Sequence, residues 1–294
     1  MYRTDLAIER KEMIDEKAGK ASKIDGVTIE KTDYGNGVTA TTITITSPSG
    51  EAKLGKPMGK YITIETKSII EENIEVKTNV VEAVAGELKN LVSFHYYLKV
   101  LVAGLGNSDV TPDSLGPKTA SKIKVTGHLF KMFDADGDDE MSCVSCIAPG
   151  VTGNTGMETT ELIRKAAEIC RPEVIIAVDS LAARNIKRVS TTIQITDTGI
   201  SPGAGMGNRR TGLNKNTAGT RVIAIGVPTV IDAATIVRDA LKDNVKSIEQ
   251  IDEYIDRFDE QMIVTSTDID MIVKEFSDII AAGINKTLHP GIYS

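Results

Sequence analysis

Lys99-Val100-Leu101-Val102-Ala103 and Val174-Ile175-Ile176-Ala177-Val178 decide the fold of this chain. Each is a short, unbroken apolar run of the kind that fills a parallel strand covered on both faces. Each leads to an aspartate in an Asp-Ser-Leu triplet. Asp113 lies in Thr111-Pro112-Asp113-Ser114-Leu115-Gly116-Pro117, and Asp179 in Ala177-Val178-Asp179-Ser180-Leu181-Ala182-Ala183-Arg184. If the two strands are parallel neighbours, both carboxylates emerge at one edge of the sheet, outside the carboxyl ends of its strands, where open α/β folds place their ligands. Two carboxylates meeting there cannot both ionise cheaply. One keeps a proton, and the pair can serve as general acid and general base. Asp is also a preferred helix N-cap, so each residue could simply open the helix after it. Spacing alone leaves both readings open.

Working outward, residues 5–23 read as a charged helix. Residues 26–66 change texture: Thr39-Ala40-Thr41-Thr42-Ile43-Thr44-Ile45-Thr46 and Tyr61-Ile62-Thr63-Ile64-Glu65-Thr66 alternate, with turns at Gly35-Asn36-Gly37 and Ser47-Pro48-Ser49-Gly50. They read as antiparallel strands with one wet face, a small β-rich segment appended to the main unit. From residue 79 strands and helices alternate: helices near 80–91, 118–124 and 156–170, strands near 98–103, 141–147, 174–178, 191–196 and 221–227. Such alternation means βαβ units and a mainly parallel sheet flanked by helices. The C-terminal third is mostly helical, with Ile269, Ile272, Val273, Phe276, Ile279 and Ile280 at helical spacing. The expectation is an α/β chain of one domain, 1–294, in three parts: an N-terminal helix and β segment (1–78), the α/β core (79–235) and a helical C-terminal region (236–294).

Aromatics make up only 4% of the 294 residues and Trp is absent, so Ile, Val, Leu and Ala must build the core. The formal net charge of −7 argues against a nucleic-acid binder, which usually carries a basic face. No apolar stretch is long enough to span a bilayer, and the charged first 20 residues lack the apolar centre of a signal peptide. Three cysteines do not make a disulfide framework, which suits a reducing compartment.

Other motifs weaken on inspection. Gly104-Leu105-Gly106 suggests a dinucleotide loop, but Asp109 stands where the third glycine belongs, and a tight turn is the better reading. Cys143 and Cys146 lie three apart on an expected strand, so their sulfurs point to opposite faces and read as buried core. In Asp134-Ala135-Asp136-Gly137-Asp138-Asp139-Glu140 the register of a calcium loop fails, since aligning Gly137 puts Met132 at the first ligand position. Asp197-Thr198-Gly199 is the tripeptide of pepsin-like proteases, but one copy in an α/β chain does not make that fold. His95, His128 and His289 sit in no nucleophile or metal motif. The glycine-rich loop Ser201-Pro202-Gly203-Ala204-Gly205-Met206-Gly207-Asn208 ends in Arg209 and Arg210, which could bind acidic side chains of a substrate.

Longer runs go beyond generic chemistry. Ala103-Gly104-Leu105-Gly106-Asn107 through the Asp113 motif, Ala148-Pro149-Gly150-Val151-Thr152-Gly153-Asn154-Thr155-Gly156, the Asp179 motif through Ser190-Thr191-Thr192-Ile193-Gln194, Asp197-Thr198-Gly199-Ile200-Ser201-Pro202-Gly203 and Ile225-Gly226-Val227-Pro228-Thr229-Val230-Ile231-Asp232 closely resemble the spore germination protease family. The N-terminal Arg3-Thr4-Asp5-Leu6-Ala7-Ile8-Glu9 extends the likeness over nearly the whole chain. The resemblance implies an atypical aspartic endopeptidase that initiates degradation of small acid-soluble DNA-coating spore proteins at germination. Asp113 and Asp179 match the family's two essential aspartates. It further implies a homotetrameric zymogen that cleaves itself near the N-terminus, here between Asp5 and Leu6, and works in the cytoplasm of the forespore and in the spore core. No cofactor, metal, nucleic acid or membrane is expected as a partner. The family's core is similar to that of hydrogenase maturation endopeptidases, which bind nickel through corresponding acidic residues and an added His. A metal-assisted peptidase using the same carboxylates is the alternative.

Overall fold

The computed structural model describes residues 4–67, 69, 73–95, 97–132, 141–201, 211–241, 253, 255 and 262–293. Four strands form the parallel half of its sheet: β4 (Lys99–Gly104), β5 (Cys143–Ile147), β6 (Val174–Ala183) and β8 (Arg221–Asp232), in the spatial order β8-β6-β4-β5. The two runs that opened the sequence reading are neighbours, with Val100 opposite Val174 and Gly104 opposite Val178. All ten residues of β6 are buried.

The β-rich N-terminal segment is appended by continuation of this sheet. β1 (Val27–Gly35), β2 (Val38–Ile45) and β3 (Gly59–Glu65) pair antiparallel, and β3 joins β7 (Thr192–Thr196), which lies antiparallel to β8. The short β9 (Ile263–Thr265) pairs with the far end of β8. The parallel strands are therefore one half of a larger mixed sheet, which ends at β5.

Helices cover both faces. Val100, Val102, Ile176, Val178, Ile223 and Ile225 point to the face packed by α3 (Ile74–Leu91), α4 (Leu115–Ala120) and the long C-terminal helix α10 (Ile269–Leu288). Ile269, Ile272, Val273, Phe276, Ile279 and Ile280, the residues at helical spacing, are all buried there. Leu101, Ala103, Ile175 and Ala177 point to the other face, where α7 (Thr159–Cys170) and α8 (Lys215–Ala218) lie. The same face carries Ile43, Ile45 and Tyr61 under α1 (Ala7–Ala18) and α2 (Pro48–Leu54). Two one-turn helices, α5 (Gly127–Met132) and α6 (Thr152–Thr155), and α9 (Ala233–Leu241) complete the elements.

Helix α3 begins six residues before the first helical residue expected from the apolar pattern. Asn73 supplies the reason: its side chain accepts from the N–H groups of Glu75 and Val76, a local cap that apolar periodicity does not register. The cysteines also differ from expectation. Cys143 and Cys146 are half-buried and in no disulfide, because β5 is the outermost strand of the sheet; Cys170, the last residue of α7, is likewise half-buried and in no disulfide. Cys146 does pack against the α3 and α10 side, with Sγ 3.5 Å from the Ala120 carbonyl. Burial raises its thiol to about 11.

Candidate active site

β6 does not stop at Val178. It continues through Asp179 to Ala183, because β8 runs beside it to Asp232 and nothing in Ser180-Leu181-Ala182-Ala183 breaks a strand. Asp179 is consequently a strand residue opposite Gly226 of β8, one position past the last residue that β4 pairs. It is 2% exposed, and its Oδ1 accepts the N–H of Ser180 at 2.9 Å. Alternation along β6 puts it on the face of Ile175 and Ala177.

Asp113 reaches the same edge by a different route. After β4 the chain turns through Gly106 and returns in a 3-10 turn, Thr111–Asp113, that runs into α4. Asn107 N–H holds the turn closed, 2.9 Å from Asp113 Oδ2 and 3.1 Å from the Asp113 carbonyl. Gly106 has φ +108°, and a β-carbon on it would stand 2.0 Å from the Asp113 carbonyl oxygen, so no side chain fits. Leu105 N–H donates to the Val178 carbonyl at 2.8 Å, which stitches the start of this loop to the residue before Asp179. Gly116, at the head of α4, lies so close that a β-carbon would be 2.1 Å from the Leu105 carbonyl oxygen and 2.5 Å from that of Val178.

A β-bulge fixes the other side of the turn. The register between β6 and β8 shifts after Leu181, from Leu181 opposite Pro228 to Ala182 opposite Val230. The extra residue, Thr229, is fully buried and donates its hydroxyl to the Pro112 carbonyl at 2.7 Å. Bulges often re-aim groups beside a site. A proline inside an apolar strand run was the sequence signal for this one. The sequence motifs contain Thr229 and Asn107, but nothing in them points to a role in holding this turn.

Neither aspartate serves as a helix cap. Ser114 is the N-cap residue of α4, and Asp179 lies inside a strand. The N-cap reading is thus corrected in favour of two carboxylates at the carboxyl edge of adjacent parallel strands, one half-buried and one buried.

The other residues singled out by sequence fall elsewhere. Arg209 and Arg210, together with residues 202–208 of their loop and the acidic run 134–140, lie outside the described residues. The Asp197 carboxylate accepts Lys60 N–H at 2.8 Å and ties the end of β7 to β3. His95 meets Glu173 at 3.0 Å, and Glu173 also accepts Lys99 N–H, at the amino-terminal edge of the sheet, opposite to Asp113 and Asp179. The His289 ring is buried against the Lys124 carbonyl. Among the described residues, no three His, Cys, Asp or Glu side chains group so as to hold a metal ion. Among them, too, no helix is long and apolar enough to cross a membrane.

Asp5 and Leu6 lie along β6 beyond Asp179. Asp5 N–H donates to the Ala182 carbonyl at 3.0 Å, and its Oδ2 accepts Ala182 N–H at 2.8 Å. The Asp5 carbonyl accepts from Lys56 Nζ at 2.8 Å and from Gln194 Nε2 at 3.2 Å. Leu6 is fully buried against Leu181 and Ala183. Just beyond, Glu9 of α1 is 1% exposed, accepts the N–H groups of Arg184 and Asn185 at 2.7 and 2.8 Å, and takes the Thr4 hydroxyl. Burial raises the Glu9 carboxyl above its ordinary value, opposed by these hydrogen bonds and by the Arg188 guanidinium.

Residues 7–250 match the germination protease family. The germination protease of Caldanaerobacter subterraneus subsp. tengcongensis is 38% identical over 313 residues, covering 99% of this chain and 95% of that protein. That of Clostridium tetani is also 38% identical, over 99% of this chain and 96% of its own. That of Geobacillus sp. is 34% identical, over 99% and 94%. Among solved structures, a nickel–iron hydrogenase maturation protease from Thermococcus kodakarensis aligns with 67% of this chain and 98% of its own, at 14% identity and a TM-score of 0.37.

Proposed function

The chain belongs to the germination protease family and is a peptidase, and we propose that Asp113 and Asp179 are its catalytic pair. In this reading it is the endopeptidase that begins the breakdown of small acid-soluble, DNA-coating spore proteins at germination, in the spore core. The observation that carries it is the stitched edge: Leu105 N–H on the Val178 carbonyl and the Thr229 hydroxyl on the Pro112 carbonyl, which hold the Asp113 turn against β6 and β8.

The two carboxyls share one proton and hold a water. The ionised member takes a proton from that water as it attacks the scissile carbonyl. The protonated member donates toward the oxygen on which charge develops. The two titrate as a coupled pair. Incubating the purified protein with a peptide from a small acid-soluble spore protein tests the activity, and intact peptide after prolonged incubation would overturn it. Activity is expected to survive exhaustive chelation. Loss on chelation, with recovery on adding one divalent ion, would instead make the carboxylates metal ligands.

The reading includes a homotetrameric zymogen that cuts itself between Asp5 and Leu6. Ala182, which holds Asp5, lies three residues past Asp179, about 10 Å along the strand at roughly 3.3 Å per residue. The docked bond is therefore displaced from the pair, and the segment must detach from Ala182 and withdraw Leu6 before it can be cut. Slow cleavage is expected, with chains beginning at Leu6 accumulating after mild acidification. Mass spectrometry that finds only intact chains in a preparation already digesting spore protein would remove self-processing from the reading.

A further inference from the structure

Two carboxyl-edge loops meet at one side-chain amide, that of Asn107. The residue follows the end of β4 and is half-buried, and its backbone N–H is spent on Asp113 Oδ2, 2.9 Å away. Its side-chain oxygen meets two donors, Asp109 N–H at 3.0 Å and Asn154 Nδ2 of α6 at 3.2 Å. A backbone N–H can only donate, so the atom facing Asp109 is Oδ1, and Asn154 must present its own nitrogen to the same oxygen. The Asn107 amide is thereby held in one orientation. Its Nδ2 is left with two N–H groups and no acceptor among the described residues.

The hold on Oδ1 comes in part from the segment after β5, which flanks β4 on the side opposite to β6 and Asp179. Covalent geometry keeps Nδ2 within about 5 Å of its own backbone nitrogen, and so within about 8 Å of Asp113 Oδ2. Two groups that hydrogen-bond one oxygen stand about 6 Å apart or closer, a spacing inside that limit. Peptide hydrolysis builds negative charge on the carbonyl oxygen, and a donor already oriented toward it stabilises that charge without reorganising. One proton shared by two carboxyls supplies a single donor. A neutral amide adds a second without a charge that would disturb the shared proton.

We propose that Asn107 is a further catalytic residue, whose Nδ2 donates to the scissile carbonyl oxygen as charge develops there, and that Asn154 is the positioning residue that keeps this amide turned. The inference rests on the peptidase reading of Asp113 and Asp179. It gives the Asn154 segment, which carries no acid or base of the pair, a part in the reaction.

The test compares full-length wild type with Asn107→Asp, Asn107→Ser and Asn154→Ala on a spore-protein peptide. Asp keeps the acceptor for Asp109 N–H and removes the donor; Ser keeps a shorter acceptor and adds no charge beside Asp113. Both are expected to lower kcat by about 10²-fold while KM stays within about threefold. Asn154→Ala lowers kcat by about fivefold, because Asp109 N–H still holds Oδ1. A phosphinic analogue of the same peptide, whose tetrahedral centre carries the charged oxygen, should bind Asn107→Ser about 10²-fold more weakly than wild type. A kcat within about threefold of wild type in Asn107→Ser overturns the proposal, as does a loss that falls equally on KM. Loss in Asn107→Ser with wild-type turnover in Asn107→Asp assigns the side chain to the turn alone and also overturns it. Wild type that leaves the peptide intact sinks the peptidase reading, and the phosphinic analogue then decides the donor: equal affinity for wild type and Asn107→Ser sinks it.

Discussion

Asp113→Asn and Asp179→Asn are each expected to abolish peptide-bond hydrolysis while the chain stays folded. An amide can neither share nor exchange the proton that the pair needs, and loss of positioned proton transfer alone costs roughly 10²–10⁴-fold in rate. The structure gives specific reasons why folding survives. Asp113 holds its turn by accepting Asn107 N–H, and Asp179 accepts Ser180 N–H; an amide oxygen can accept both bonds in nearly the same shape. Asp179 is also almost fully buried, so a neutral group there relieves the cost of burying charge. Steady-state hydrolysis of a spore-protein peptide, with thermal melting as the control, checks the result. Either variant turning over at near wild-type rate, with an unchanged melting curve, would sink the pair as the catalytic machinery.

Arg188→Ala carries the largest expected loss of stability. Arg188 is mostly buried between the N-terminal helix and the sheet, where it bonds Glu12 at 2.5 and 2.7 Å and Glu65 at 3.2 Å and lies 3.8 Å from Glu9. Removing it leaves the buried Glu9 carboxylate without its nearby cation. Breaking a buried pair from one side costs about 3–5 kcal/mol. The pH dependence has a defined sign. The folded pKa of Glu9 is already raised, so the folded chain binds a proton there at a pH where the unfolded chain has released it. Stability from this group is greatest below the unfolded value of 4.5 and falls as pH rises through the folded one. Without Arg188 that rise grows, so the deficit should be full at neutral pH and shrink on acidification. Urea unfolding at neutral and mildly acidic pH measures both. A loss below about 1 kcal/mol at neutral pH would place the cluster with ordinary exposed ion pairs.

The two halves of the site differ in how far local sequence carried. Asp113 was legible because an apolar run, Gly-x-Gly and Pro112 fix a strand, a turn and a helix start within a few residues. Asp179 was legible as a residue but misplaced as an element. The apolar run ends at Val178, and only the lateral hydrogen bonds to β8 carry the strand on to Ala183. Arg209 and Arg210 were chosen from loop composition as partners for acidic side chains. Lys56, in an unremarkable Gly-Lys-Pro turn, gave no local sign that Asp5 and Gln194 would meet beside it.

Sequence alone determined the parallel half of the sheet, the helices on its faces and the family, and it singled out the two aspartates, because apolar periodicity and long motifs are written within short windows of chain. Tertiary structure decided that the N-terminal strands extend the main sheet through β3 and β7, and that Asp179 lies within a strand. It also decided that Thr229 clamps the Asp113 turn and that Asp5 covers Lys56. The physical reason is separation along the chain. Thr229 and Pro112 are 117 residues apart, and Asp5 and Ala182 are 177 apart. Hydrogen bonds across such distances form because packed strands bring the groups together, and no local pattern encodes them.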